Sequence, residues 1–196
     1  MQLDRLIDID TADEVYNPSD DSYMLLRIVE VARDETFLEV GAGTGLIAIH
    51  AAKMGAKVTA TDVNPHAVEL TRRNAARNQV RIQVQQSDLF DKVDGYFDVI
   101  AFNPPYLPSD SSSTSWIERS WSGGEKGSEI LVSFLDQAWR HLAPGGRIYM
   151  VLSSLTGLTS VLKAAKERYE SEMLEEQRMF FESMFAYRFR AKRPMP

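Results

Sequence analysis

From residue 20 onward, segments with helical spacing alternate with short apolar runs that suit strands. Asp20–Val31 puts Met24, Leu25, Ile28 and Val31 on one helical face, with Pro18-Ser19 at its start. Thr36–Val40 is a short apolar strand that runs into a glycine cluster, and Thr44–Met54 is a helix stopped by Gly55. Lys57–Thr61 is a second strand, Pro65–Asn78 a helix with proline in its first turn, and Val80–Gln85 a third strand. Phe97–Phe102, FDVIAF, is apolar enough for a central strand covered on both faces. Glu129–Leu142 is a helix stopped by Pro144-Gly145-Gly146, Arg147–Leu152 a fifth strand, and Leu155–Tyr169 a helix. The remainder, to about Arg190, reads as two strands paired with each other. Such alternation predicts an α/β fold with a mostly parallel sheet and helices on both faces. Ligands of such sheets bind beyond the carboxyl ends of the strands. Residues 1–196 are expected to form one domain.

Composition narrows the function classes. Hydrophobic residues are 44% and charged residues 26%, as in ordinary globular chains, so neither disorder nor membrane embedding is expected. The absence of cysteine excludes disulfides, cysteine-based zinc sites and a catalytic thiol. No apolar run approaches the roughly 20 residues of a membrane span. The acidic N-terminus, MQLDRLIDIDTADE, has no apolar signal core, so the cytoplasm is the expected location. A net charge of −6 speaks against a non-specific nucleic-acid binder. Arg188, Arg190, Lys192 and Arg193 read as a solvated tail or edge strand. His50, His66 and His141 are scattered without metal spacing, so no metal site is expected. Pro108–Ser115, PSDSSSTS, has the composition of a mobile loop.

Candidate chemistry falls at the ends of the strands. Glu39-Val40-Gly41-Ala42-Gly43-Thr44-Gly45 follows the first strand and opens a helix; its glycines permit a sharp turn and close approach of a ligand. A dinucleotide fingerprint would need glycine at Leu46, and a P-loop lysine is missing, so a phosphate-free nucleoside is the better ligand. Asp62 ends the second strand, where a carboxylate can accept both hydroxyls of a ribose; capping the next helix is the competing role, which Asn64 can take instead. After the third strand, Asp88 can accept from an adenine amine, and Leu89 can offer its backbone N–H and its side chain to the ring. Three such loops in register resemble those of the class I, Rossmann-like S-adenosylmethionine methyltransferases. That resemblance implies S-adenosyl-L-methionine as cofactor and a seven-stranded sheet whose last strand is antiparallel.

Asn103-Pro104-Pro105-Tyr106 follows the fourth strand directly. An amide nitrogen is a poor nucleophile, so an enzyme methylating it must hold it in line and accept its N–H bonds. The Asn103 side-chain oxygen and the Pro104 carbonyl can be those acceptors. The prolines, Pro104 and Pro105, stiffen the turn. Tyr106 can stack on a planar substrate group and face the sulfonium. The tetrapeptide marks nitrogen methyltransferases acting on glutamine amides or on adenine or guanine amines, and does not choose among them.

Val15-Tyr16-Asn17-Pro18-Ser19-Asp20-Asp21-Ser22 and Trp121-Ser122-Gly123-Gly124-Glu125-Lys126-Gly127 narrow the choice. Both resemble segments of the HemK-type release-factor glutamine N5-methyltransferases, in their short archaeal and eukaryotic branch. The resemblance covers nearly the whole chain. It implies that Ser22, Glu39, Gly41, Asp62, Asp88 and Leu89 contact the cofactor, along the loop containing Gly43 and Gly45, and that Asn103 holds the substrate amide. The implied substrate is the Gly-Gly-Gln loop of a class I peptide chain release factor; alternatives are an RNA or DNA base amine, or a protein lysine. Ser22 and Asp20 depart from the branch's threonine and glutamate. The separate N-terminal helical domain of bacterial members is expected to be missing. The branch is associated with a small zinc-binding activator that covers an apolar sheet edge. Met173, Met179, Phe180, Phe181, Met184, Phe185, Tyr187 and Phe189 are expected to serve core and strand pairing, or else a partner surface. Trp116 and Trp121 are lid or docking candidates, or pack their loop down.

Overall fold

The computed structural model describes residues 1, 4, 6–105, 115–116 and 128–192. Its elements are α1 (Asp20–Ile28), β1 (Thr36–Val40), α2 (Leu46–Lys53), β2 (Lys57–Asp62), α3 (Pro65–Arg77), β3 (Ile82–Gln86), β4 (Phe97–Phe102), α4 (Glu129–Ala138), a 3-10 turn (Trp139–His141), β5 (Leu142–Ser153), α5 (Leu158–Ala165), β6 (Tyr169–Arg178) and β7 (Ser183–Ala191). The seven strands lie in the order β3-β2-β1-β4-β5-β7-β6. Only β7 runs against its neighbours. The predicted mostly parallel sheet with an antiparallel last strand is therefore present.

Alternation along the central strands sorts the core into two halves. Phe37, Val99, Ala101, Tyr149 and Val151 pack against α1 and α2 on one face. Leu38, Val40, Ile100, Phe102, Ile148 and Met150 pack against α4 and α5 on the other. Adjacent residues such as Phe37 and Leu38 thus enter opposite layers, as the two-residue repeat of a strand requires.

Several predicted boundaries move, each for a local reason. The helix predicted over Asp20–Val31 ends at Ile28, because buried Val29 and Val31 flank exposed Glu30 in an extended segment. The helix predicted from Thr44 begins at Leu46, because Gly45 has φ of +80° and cannot be helical. The predicted third strand shifts from Val80–Gln85 to Ile82–Gln86, and the helix predicted over Leu155–Tyr169 shortens to Leu158–Ala165 after a Ser153–Thr156 side-chain turn. The fifth strand starts at Leu142 rather than Arg147, carrying Pro144-Gly145-Gly146 as a wide bulge opposite Phe97–Val99. A Cβ on Gly146 would lie 2.9 Å from the carbonyl oxygens of Ala143 and Phe97, so the bulge needs glycine there.

The chain runs outward from β1 through β2 to β3, then returns to place β4 on the other side of β1. Sheet order reverses between β1 and β4. Val40 is the register partner of Phe102. Gly41 and Asn103 therefore leave the sheet side by side, where a ligand crevice is expected.

Candidate active site

A cleft of about 570 Å³ opens at this reversal point, a size suited to a nucleoside-like ligand. Its walls include Ser22, Glu39, Gly41, Gly43, Asp62, Asp88, Leu89, Asn103 and Pro105, which arrive from five separate stretches of chain. Gly45 and Pro104 do not line it. Tyr106 and the Trp121–Gly127 segment lie outside the described residues.

The glycine loop is fixed from two sides. Ala42 N–H donates to the Thr61 carbonyl at 2.9 Å, and Gly45 N–H to the Ala42 carbonyl at 2.7 Å. Gly41, Gly43 and Gly45 all have positive φ. A Cβ on Gly41 would come within 3.3 Å of the Phe102 ring, and one on Gly45 within 2.9 Å of Thr71 Cγ2. Only glycine lets the loop pack this closely while keeping the cleft open.

Asp62 binds the loop to the next helix. Its Oδ2 accepts from Gly43 N–H and its Oδ1 from Asn64 N–H, both at 2.9 Å. Asn64, not Asp62, caps α3: its Oδ1 accepts from His66 N–H. Each Asp62 oxygen keeps a lone pair for hydroxyl donors. Burial pushes the Asp62 carboxyl up, against the pull of the Asn64, Gly43 and Val63 N–H groups.

Glu39 is only 4% exposed. Burial pushes its carboxyl up to about 8, opposed by the Ala48 N–H that donates to Oε2 at 2.8 Å and reinforced by the negative charge of Asp62. Water solvates this acid poorly, so a cationic or hydroxylic ligand group in the cleft gains a strong acceptor. Asp88 is exposed at the cleft rim. Leu89 has φ of +41°, and the Ser87 hydroxyl donates to its carbonyl at 3.2 Å while accepting from Lys92 N–H.

The opposite wall comes from the N-terminal stretch. Ser22 Oγ donates to Asp21 Oδ1 at 3.1 Å, and the Tyr16 hydroxyl reaches the same carboxylate at 3.2 Å. Burial and the Asp21 charge push the Tyr16 phenol up to about 12. Asn103 is half-buried, and its side-chain oxygen is enclosed and accepts no hydrogen bond from the described residues. An enclosed acceptor without a donor is costly unless a ligand supplies one.

Three residues absent from the motifs support the site. Thr71 Oγ1 donates to the Gly43 carbonyl at 3.0 Å. Fully buried Asn74 donates to the carbonyls of Thr44 and Asp10 and accepts from Asp10 N–H. Asn78 repeats the pattern on Asp8. Their trace in the chain is a polar series, Thr71, Asn74 and Asn78, on the otherwise apolar inner stripe of α3. Val15, Trp116 and Ile130 also line the cleft.

Together these features define an α/β fold whose sheet-reversal cleft is walled by a glycine loop, the buried acids Glu39 and Asp62, and the Asn103 turn. The methyltransferase small domain family matches residues 19–180, and the chain belongs to that family. It is 44% identical over 156 residues to a provisionally named protein N5-glutamine methyltransferase of Methanocaldococcus jannaschii, covering 78% of this chain and 79% of that one. Methyltransferase HEMK2 of Mus musculus is 33% identical over 169 residues, 79% of each chain. A solved structure of the E. cuniculi Mtq2–Trm112 complex, which methylates the termination factor eRF1, matches with a TM-score of 0.74, covering 91% of this chain and 99% of that chain. At 23% identity that likeness is one of fold. No helix among the described residues is long and apolar enough to cross a membrane.

Proposed function

We propose that the protein is an S-adenosylmethionine-dependent methyltransferase that modifies the glutamine amide nitrogen in the Gly-Gly-Gln loop of a class I release factor. The observation that carries this is the enclosed side-chain oxygen of Asn103, which has no donor among the described residues, on a residue that lines a nucleoside-sized cleft. A primary amide has N–H groups to offer that acceptor, which leaves its nitrogen facing the cleft. The naming of relatives as glutamine methyltransferases supports the same acceptor.

When bound, S-adenosylmethionine supplies a methyl group on a positively charged sulfur, open to attack by the amide nitrogen. The residues around it divide the work. Gly41 and Gly43 keep the backbone clear of the nucleoside, and Gly45 lets the loop turn into α2 against Thr71. Asp62 accepts from ribose hydroxyls. Asp88 and Leu89 hold the base. Glu39 and Ser22 face the amino-acid end. Asn103 draws positive charge developing on the amide onto its side-chain oxygen, while Pro104 and Pro105 stiffen the turn that carries it. The amide proton is lost to water after transfer, so no strong base is required. Residues 1–196 act as one cytoplasmic catalytic domain, with a small Trm112-like zinc-binding activator as partner.

The test uses methyl-labelled cofactor, with and without a Trm112-like subunit, and three acceptors: a release factor, its Gly-Gly-Gln variant with glutamine changed to alanine, and total RNA. Label confined to the unmodified factor is expected. Label in RNA, or equal label in the alanine variant, would overturn the assignment.

A further inference from the structure

The turn joining β6 to β7 carries Phe180 and Phe181, which are 92% and 88% exposed. Their rings meet edge to face at 4.8 Å. Half-exposed Met179 precedes them in the same turn. Strand-to-strand turns ordinarily use Gly, Asn, Asp or Ser, and nothing in the turn geometry asks for two aromatics. Solvated aromatic pairs mark contact sites more often than folding needs.

The tip stands at the same edge of the sheet as the cleft. Met179 N–H donates to the Glu182 carbonyl at 2.8 Å, closing the turn. Ser154 N–H donates to the Ser183 carbonyl at 2.8 Å, and the Ser153 hydroxyl donates to the Glu182 carboxylate. Ser153 ends β5, the neighbour of β4, from which Asn103 emerges. The Glu182 charge also acts on Tyr16, a cleft wall residue. Two strand spacings, roughly 10 Å, separate β7 from β4.

Charge around the tip selects the partner. Glu175, Glu176 and Glu182 lie on the half of the hairpin nearest the tip, whereas Glu172 farther along is held by Arg188, and the chain as a whole carries a net charge of −6. The nearby Arg178 and Arg27 are held by Glu176 and Glu175. A phosphate-bearing surface, whether membrane or RNA, is repelled, whereas a protein with basic and apolar side chains is attracted. A three-residue loop inserted into the cleft also buries far less than the roughly 1,600 Å² of an ordinary specific interface. Recognition of a folded substrate therefore needs contact outside the cleft.

We propose that Phe180 and Phe181 form a docking knob for the protein substrate, inserting into an apolar depression rimmed by basic side chains near its glutamine loop. The proposal rests on the release-factor assignment above. The test is steady-state kinetics of the full chain, with its activator, comparing Phe180→Ser/Phe181→Ser with Phe180→Leu/Phe181→Leu. The serine pair should raise KM for the release factor tenfold or more, with kcat and S-adenosylmethionine affinity unchanged. The leucine pair should stay within about threefold of the parent. An unchanged KM in the serine pair, or a joint fall in kcat and cofactor affinity, would overturn the knob while leaving the glutamine assignment standing. A parent enzyme that does not label the release factor would overturn both. Co-sedimentation with phosphatidylserine vesicles that the serine pair abolishes would assign the tip to membranes and refute the protein knob.

Discussion

Asn103→Ala should separate stability from activity in opposite directions. The Asn103 side-chain oxygen is enclosed and unpaired in the free protein, and such an orphan costs about 1–3 kcal/mol. Truncation removes that cost. It also removes packing of a half-buried side chain, worth about 1 kcal/mol at a site that can relax. The ligand-free variant should therefore match or exceed the parent in stability, by up to about 1 kcal/mol, in urea unfolding followed by tryptophan fluorescence. Catalysis should move the other way. Losing one pre-aligned acceptor at a centre of developing charge lowers kcat by about 10²–10³-fold. Cofactor affinity, carried by other side chains, should change little. Destabilisation beyond about 2 kcal/mol would mean that the oxygen has a structural partner. A kcat within threefold of the parent would remove Asn103 from the chemistry.

Three further perturbations follow from the geometry. The native Glu39 carboxyl titrates near 8 against an ordinary value of 4.5, so between those pH values the native state holds a proton that the unfolded chain has lost. Stability should fall as pH rises through that window by up to about 1.4 kcal/mol per pH unit; Glu39→Gln should flatten the profile, with the parallel contribution of buried Asp62 left in both proteins, and identical slopes would refute the assignment. Gly45→Ala combines a φ of +80° with a Cβ 2.9 Å from Thr71. It should cost roughly 2–4 kcal/mol, against about 1–2 for Gly95→Ala, which shares the positive φ but meets no neighbour; equal losses in thermal unfolding would deny the Thr71 contact. Asn74→Ala strips partners from Asp10 N–H and from the Asp10 and Thr44 carbonyls, costing about 3–5 kcal/mol. Hydrogen exchange should speed up over residues 8–16 in that variant, and unchanged protection there would refute the link.

What was legible in the chain depended on how local its cause was. β1 and β4 fall where their apolar runs begin and end, because both are central and each is cut off at once by glycine or proline. The start of β5 was not legible, since its bulge forms only against Phe97, some 45 residues earlier in the chain. The segment from Asp8 to Tyr16 gave no periodic signal either. Its backbone hydrogen bonds go to the side chains of Asn74 and Asn78 instead of a neighbouring strand. No repeat of apolar residues can announce such pairing. That most of the motif residues meet at one crevice was legible through spacing, but the environment of each group was not. Glu39 reads as an ordinary acid at a strand end, and only burial reveals that its carboxyl is pushed up.

Three of the positions where local rules fail share one place, whereas the enclosed Trp139 Nε1 and Arg188 Nε, unpartnered among the described residues, lie outside it. A buried acid, an enclosed acceptor with no donor and a leucine at positive φ each raise the free energy of the folded chain. Glu39, Asn103 and Leu89 are those three, and all line the same cleft. The other non-glycine residues with positive φ, Asp34 and Gln79, are turn residues outside it. A fold selected for stability alone would replace all three at little cost to its core. Their grouping is explained if ligands return the deficit: hydroxyl and cationic groups to Glu39, an amide N–H to Asn103, and a base edge to the Leu89 backbone. Cofactor binding should then stabilise the protein beyond what its buried apolar area supplies. Asn103→Ala should leave that gain intact under the proposed assignment of its oxygen to the substrate amide.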